Sequence, residues 1–414
     1  MNMIWFFVMK EMLSKIFSYK VLSASLLIGG ACIGGGILGV PVEAGSLGFF
    51  PSAVILLSSW LFMTLTAFLY AEASLWMEEK NAHIVTITSH LLGRWGEAIA
   101  VMWYIFIGYA SLIAYNAGGA QLIGYMSEGL FSVFLSPLLS AVVYAALFGS
   151  VFYFGARVVG LINMILMAGL ILSYILLISL GLEGIQYPLL GRASWSGFYT
   201  VIPLMVTSFS FQMIVPSIAL YVDKDPKSLK YTLIMGTTLA LIFYLLWIFV
   251  VMGTVPNEGK YGLKEALENG QVATASLKIF AHKRVIAVLG EYFAFFAIST
   301  SYLGIGLGLF DFLADLFQIE KKGNGKLILG LLVVLPTLYI TMTFPGIFLV
   351  ALDVTGGFGD SILNGVIPVL LIWMGRYVIG YKSELKLIGG KTMLTLLFLC
   401  SLSIITAQVL KWVF

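Results

Sequence analysis

The sequence predicts an all-α integral membrane protein of 11 transmembrane helices, ten of them forming two inverted sets of five. Three observations carry this. Hydrophobic residues make up 60% of the 414 and charged residues 10%, with a mean hydropathy of +1.01, against about 45–50% apolar and 25% charged in soluble domains. Eleven apolar segments each approach the ~20 residues that cross ~30 Å of hydrocarbon, and their connections leave no room for a soluble domain. The first and the sixth of them carry residues that interrupt a helix.

Residues 1–20 hold an apolar patch (Ile4 to Met9) followed by Lys10, Lys15 and Lys20. No small-residue cleavage site follows a well-formed apolar core, so the stretch reads as a cytoplasmic, partly interfacial segment rather than a signal peptide. Span 1 (residues 21–48) contains Gly29 to Pro41, GGACIGGGILGVP. Glycine is a poor helix former, and unpaired peptide groups are most costly at this depth, so broken backbone survives only where protein or a polar ligand satisfies it. The alternative is close packing of a neighbouring helix. A packing stripe would space its glycines four apart, whereas Gly34, Gly35 and Gly36 are consecutive.

Span 2 covers residues 51–77. An amphipathic stretch through His90 and Arg94 leads to span 3 (97–124), then spans 4 (135–154) and 5 (158–182). Span 6 (199–222) carries Thr207-Ser208-Phe209-Ser210-Phe211-Gln212 at mid-depth and Pro216 just beyond, where proline removes a helix hydrogen bond. A basic loop precedes span 7 (231–253), a long polar connection with a helical middle precedes span 8 (284–317), and spans 9 (327–344), 10 (355–374) and 11 (392–412) complete the chain. Sixteen of the 23 Lys and Arg fall on the side of the N-terminus, which places that side in the cytoplasm.

Span 1 closes its glycine run with Val40-Pro41 and span 6 closes its polar run with Val215-Pro216. Interrupted spans at matching places in two halves point to an inverted-repeat transporter with its site at the repeat interface. The halves are residues 21–182 and 199–376, with 392–412 appended. Helix-end amides of Gly34, Gly35 and Gly36 suit a carboxylate, and carbonyls from Gly29 through Ala31 and Cys32 suit an ammonium. Together they describe a receptor for a zwitterion. Phe209, Phe211 and Tyr109 are candidates to wall an aromatic side chain, and Ser210 and Gln212 to bond a hydroxyl or indole N–H.

Carboxylates within spans are Glu72, Glu291, Asp311 and Asp360, with Glu43 and Asp353 nearer the interfaces. A lone carboxylate is disfavoured in low dielectric, as a proton carrier requires. Glu72 is the leading candidate; a gate ion pair with Arg94 or another basic residue competes. On span 8, Gly304, Gly308, Asp311 and Asp315 share a helical face, with Thr300 and Ser301 above. Those hydroxyls equally fit a sodium site with span 1 carbonyls, so H⁺ and Na⁺ both stay open as co-transported ions. His83, His90 and His282 fall outside the spans. No resident cofactor, metal or nucleic acid is expected, and the chain is expected to act as a monomer in lipid. No His/Asp or His/Glu cluster suits an embedded enzyme, and no repeated filter sequence suits a channel.

At these residues the chain resembles the hydroxy and aromatic amino acid permease family, near its tyrosine- and tryptophan-specific members. The similarity runs through Gly30, Ile33, Gly34, Gly36, Leu38 and Pro41, through Thr207 to Phe209, Phe211 and Val215 to Ile218, and most specifically through Thr300-Ser301 to Phe317. Leu92-Gly93-Arg94 and Glu72 also correspond. The sequence departs from the pattern at Ser210, Gln212, Asp353 and Asp360. The resemblance implies a leucine-transporter-like fold with broken spans 1 and 6 plus one additional helix, importing tyrosine or tryptophan with protons across a bacterial cytoplasmic membrane by alternating access. The family's serine and threonine carriers keep a smaller substrate open.

Overall fold

A computed structural model describes residues 18–78, 83–281 and 283–413. The expected N-terminal segment therefore lies almost wholly outside the described residues, as does His282. Among the described residues there is no strand. Ten helices are long and apolar enough to cross a membrane, and the pair Tyr19–Cys32 and Gly36–Glu43, bent by 50°, makes an eleventh span.

Span 1 starts at Ser18, whose side chain accepts from the Val21 amide, and defines what is here termed the N-terminal face. Its second half ends at Glu43 on the far face. Span 2 (Phe49–Trp76) returns. Span 3 lies within Ile84–Phe131, where Gly93 takes φ 69° and ψ −167°. That conformation is open to glycine and strained for other residues, so the amphipathic stretch before Gly93 turns sharply into the span. Spans 4 (Pro137–Phe154), 5 (Ala156–Gly184) and 6 (Phe198–Tyr221) follow, then 7 (Pro226–Thr254), 8 (Arg284–Leu316), 9 (Asn324–Thr343), 10 (Phe348–Ile379) and 11 (Gly390–Val413). The connection between spans 7 and 8 forms two short helices, Leu263–Glu268 and Ala273–Phe280, that cover the second half of span 1 on the far face.

Span 10 departs from expectation. It restarts directly after Pro345-Gly346 at Phe348, seven residues before the expected Thr355, because the polar, glycine-rich Thr355–Val366 is not its frayed beginning but a wide π-helical section at its centre. Asp360, expected inside span 10 near its start, thereby stands at the middle of the span, where it is wholly buried.

A buried ion pair clamps one face and a lysine shared by two carboxylates clamps the other. Near the N-terminal face Arg376 holds Glu72 through two of its guanidinium nitrogens, Nε (2.7 Å) and Nη2, with side chains 5% and 1% exposed. The partner of Glu72 is thus Arg376 of span 10, not Arg94, which stacks on Trp95. At the far face Lys411 bonds Glu43 and lies 2.8 Å from Asp353, tying the last span to spans 1 and 10.

Removing one partner of a buried pair strands the other charge at a cost of about 3–5 kcal/mol. Glu72→Ala should therefore lower the thermal midpoint of the purified protein sharply, while Glu72→Ala combined with Arg376→Leu should recover most of the loss.

Candidate functional site

Both interrupted spans break at mid-depth. In span 1 the last helical bond of the first half is Ile33 N–H to Gly29 at 3.0 Å, and Gly34 N–H turns back to Cys32 at 3.0 Å. This leaves the Gly30 and Ala31 carbonyls and the Gly35 and Gly36 amides without hydrogen-bond partners among the described residues. The Tyr244 hydroxyl of span 7 donates to the Cys32 carbonyl at 3.0 Å and fixes the end of the first half.

The glycines also admit neighbours. A Cβ on Gly34 would lie 2.4 Å from Ser301 Oγ, one on Gly35 2.6 Å from the Tyr115 ring, and one on Gly36 2.9 Å from Ser208 Oγ. Spans 8, 3 and 6 thus press on three consecutive residues, so the break and the close packing are one device.

In span 6 the helix Ile202–Thr207 ends in a turn, Phe211 takes φ −145°, and helix resumes through Gln212–Ile214 into Val215–Tyr221. Gln212 organises this break. Its Oε1 accepts from the Phe211 amide at 2.9 Å and its Nε2 donates to the Met63 carbonyl at 3.0 Å.

Between the breaks lies a cavity of about 770 Å³ that extends toward the N-terminal face along spans 1, 3, 5 and 8. Ala31, Cys32, Gly34, Gly36, Ser210, Phe211, Thr300 and Ser301 line it. Four other expected site residues stand elsewhere. Gly35 is covered by Tyr115 and Phe348. Phe209 is fully buried against Tyr244, with ring centroids 5.3 Å apart. Tyr109 turns away to donate to the Leu332 carbonyl at 2.8 Å. Gln212, bonded as above, is wholly buried and faces span 2 rather than the cavity.

The ion-coupling candidates divide as well. Glu72 is neutralised by Arg376, and Asp311 is half-exposed and 2.7 Å from Lys321. Neither is a lone buried carboxylate. Thr300 returns its hydroxyl to the Phe296 carbonyl at 2.8 Å. The carboxylate beside the site is instead Asp360, which accepts from Ser210 Oγ at 2.5 Å, Asn364 Nδ2 at 2.7 Å and Thr207 Oγ1 at 3.0 Å. Sequence reasoning also passed over Tyr115, Tyr244 and Asn163, which line the cavity. Apolar periodicity treats a tyrosine inside a span as packing, and only the fold shows which ones face inward.

The model of the tryptophan/tyrosine permease family matches residues 18–408. The chain belongs to that family. Among relatives of this permease, a tryptophan-specific transport protein of Pseudomonas aeruginosa is 29% identical, the match covering 94% of each chain. Tyrosine-specific transport system 1 of Haemophilus influenzae is 30% identical over 86% of this permease and 88% of that protein. The permease's fold is similar to that of Mhp1, a nucleobase-cation-symport-1 family transporter solved in a closed conformation with bromovinylhydantoin bound. Their TM-score is 0.61 at 13% identity, with 95% of this chain and 91% of that one covered. The permease thus has the leucine-transporter-like fold.

Overpacking a tight contact costs about 1–3 kcal/mol. Gly35→Ala should lower the thermal midpoint of the permease, and Tyr115→Leu in the same chain should restore part of it; a Gly35→Ala protein as stable as wild type would show the contact to be slack.

Proposed function

We propose that this permease is a secondary active transporter that imports tryptophan or tyrosine with protons by alternating access. The observation that carries the reading is the cavity at the junction of the two breaks. Its walls offer unpaired backbone of both signs: the Gly36 amide starts a half-helix and favours a carboxylate, and the Gly30 and Ala31 carbonyls favour an ammonium. Phe211 and Tyr115 supply aromatic faces, and the buried Asn163 Oδ1, without a partner among the described residues, is an acceptor for an indole N–H or a phenol. The family membership and the tryptophan- and tyrosine-specific relatives support the same substrates.

The basic bias of the N-terminal face orients it toward the cytoplasm of a bacterial inner membrane, and the cavity extends toward that face. A sodium-coupled reading draws on Thr300 and Ser301, which line the cavity together with the carbonyl-bearing residues of span 1. Uptake into proteoliposomes under a proton gradient alone, then under a sodium gradient alone, decides between the ions.

Gly304 tests the site itself. It lines the cavity, and a Cβ built there meets no atom within 4 Å, so a larger side chain fills the cavity without clashing with protein. Gly304→Leu should fold normally, lose tryptophan-induced thermal stabilisation and lose uptake, while Gly304→Ala should keep both. Uptake of tryptophan and tyrosine by Gly304→Leu at the wild-type rate would place the substrate elsewhere; uptake of neither by wild type under any ion gradient would overturn the substrate assignment.

A further inference from the structure

We propose that Asp360 is the proton-binding group of this transporter, and that Asn364, Ser210 and Thr207 convert its protonation into a changed grip of span 10 on the break of span 6. The inference rests on the proton-symport reading. Asp360 is wholly buried, sits in the wide-turned section of span 10, and pairs with no Lys, Arg or His among the described residues. π-helical insertions recur at functional sites because they re-aim side chains. Here Gly356 lets the widened turn approach span 6 until a Cβ would stand 1.9 Å from the Pro203 carbonyl.

All three donors to the carboxylate are neutral, and two of them belong to span 6, Thr207 at the end of its first half and Ser210 within its break. Ser210 lines the cavity while holding Asp360, so it touches both the substrate space and the carboxyl. The surroundings bring no compensating charge. Span 3 contributes the Tyr115 hydroxyl, which lies within electrostatic reach of Asp360. The Tyr70 hydroxyl of span 2 is engaged with the Leu363 carbonyl. Span 11 contributes Lys411, which is held by Glu43 and Asp353 at the far face.

Asn364 is suited to both states of the carboxyl. Its amide nitrogen donates to Asp360 Oδ1 at 2.7 Å and to Ser210 Oγ at 3.2 Å, while its Oδ1 is buried without a partner among the described residues. An unpaired buried acceptor is costly. When Asp360 takes up a proton, its new O–H needs an acceptor, and rotation of the Asn364 amide presents that Oδ1. The proton arrives from water in the cavity at the Ser210 side. Its binding removes the charge that drew the Thr207 and Ser210 hydroxyls inward, and the break is freed to move. Protonation thereby biases one conformational state over the other.

The test uses full-length protein in proteoliposomes, with labelled tryptophan and an internal pH dye. One coupled proton across a one-unit pH gradient supports about tenfold accumulation. Wild type should accumulate and acidify the lumen. Asp360→Asn should exchange labelled for unlabelled tryptophan yet accumulate none and move no protons, and Asp360→Glu should restore part of the coupling. If wild type moves tryptophan without protons, the symport reading falls and this assignment with it. If wild type moves protons and Asp360→Asn moves as many per substrate, only the assignment falls. A variant keeping the carboxyl covers the case in which Asp360→Asn does not fold. Infrared difference spectra of wild type across pH should show a buried carboxylic acid band, and Ser210→Ala should move its pH midpoint; an unmoved midpoint would overturn the role of Asp360.

Discussion

Everything in this fold answers to one constraint: a peptide group in hydrocarbon must find a partner inside the protein or not be there. Nine spans meet it as helices whose backbone bonds run along their own length. Spans 1 and 6 do not, and the structure concentrates its polar side chains around their breaks. Tyr244 takes the Cys32 carbonyl and Gln212 takes the Phe211 amide. What these side chains leave unpaired along the cavity, chiefly the Gly30 and Ala31 carbonyls and the Gly36 amide, is left for a ligand or for water.

The same constraint explains why three consecutive glycines serve two ends. Bare backbone at Gly34 to Gly36 exposes peptide groups, and the absence of Cβ atoms lets Ser301, Tyr115 and Ser208 close on them. On the far side, the Tyr115 and Phe348 rings over Gly35 and the Lys411 cluster with Glu43 and Asp353 shut the molecule. Toward the N-terminal face the cavity reaches Ser23, Leu26 and Gly160.

Much of this was legible in the sequence. The eleven spans, the two breaks and the family followed from composition, Gly29 to Pro41, Thr207 to Pro216 and the span 8 motif. Side-chain direction around an irregular backbone did not. Phe209, Ser210, Phe211 and Gln212 are consecutive, and at a helix break no period says which of them turns inward: Ser210 and Phe211 do, Phe209 and Gln212 do not. Ion pairing was equally hidden, because Glu72 and Arg376 are 304 residues apart. Asp360 was expected within span 10 but near its start, because the glycine-rich stretch that carries it reads as the beginning of the span; the helix starts at Phe348, and the π-helical section makes that stretch its packed centre.

The central claim is that the two breaks hold loose peptide groups at mid-membrane and that a zwitterion closes them. Amide hydrogen exchange of the detergent-solubilised protein, with and without tryptophan, measures this directly over residues 33–36 and 208–211. The account predicts fast exchange at Gly36 in the free protein and protection when tryptophan binds. Amides there that exchange as slowly as the interior of span 2, with or without tryptophan, would contradict it.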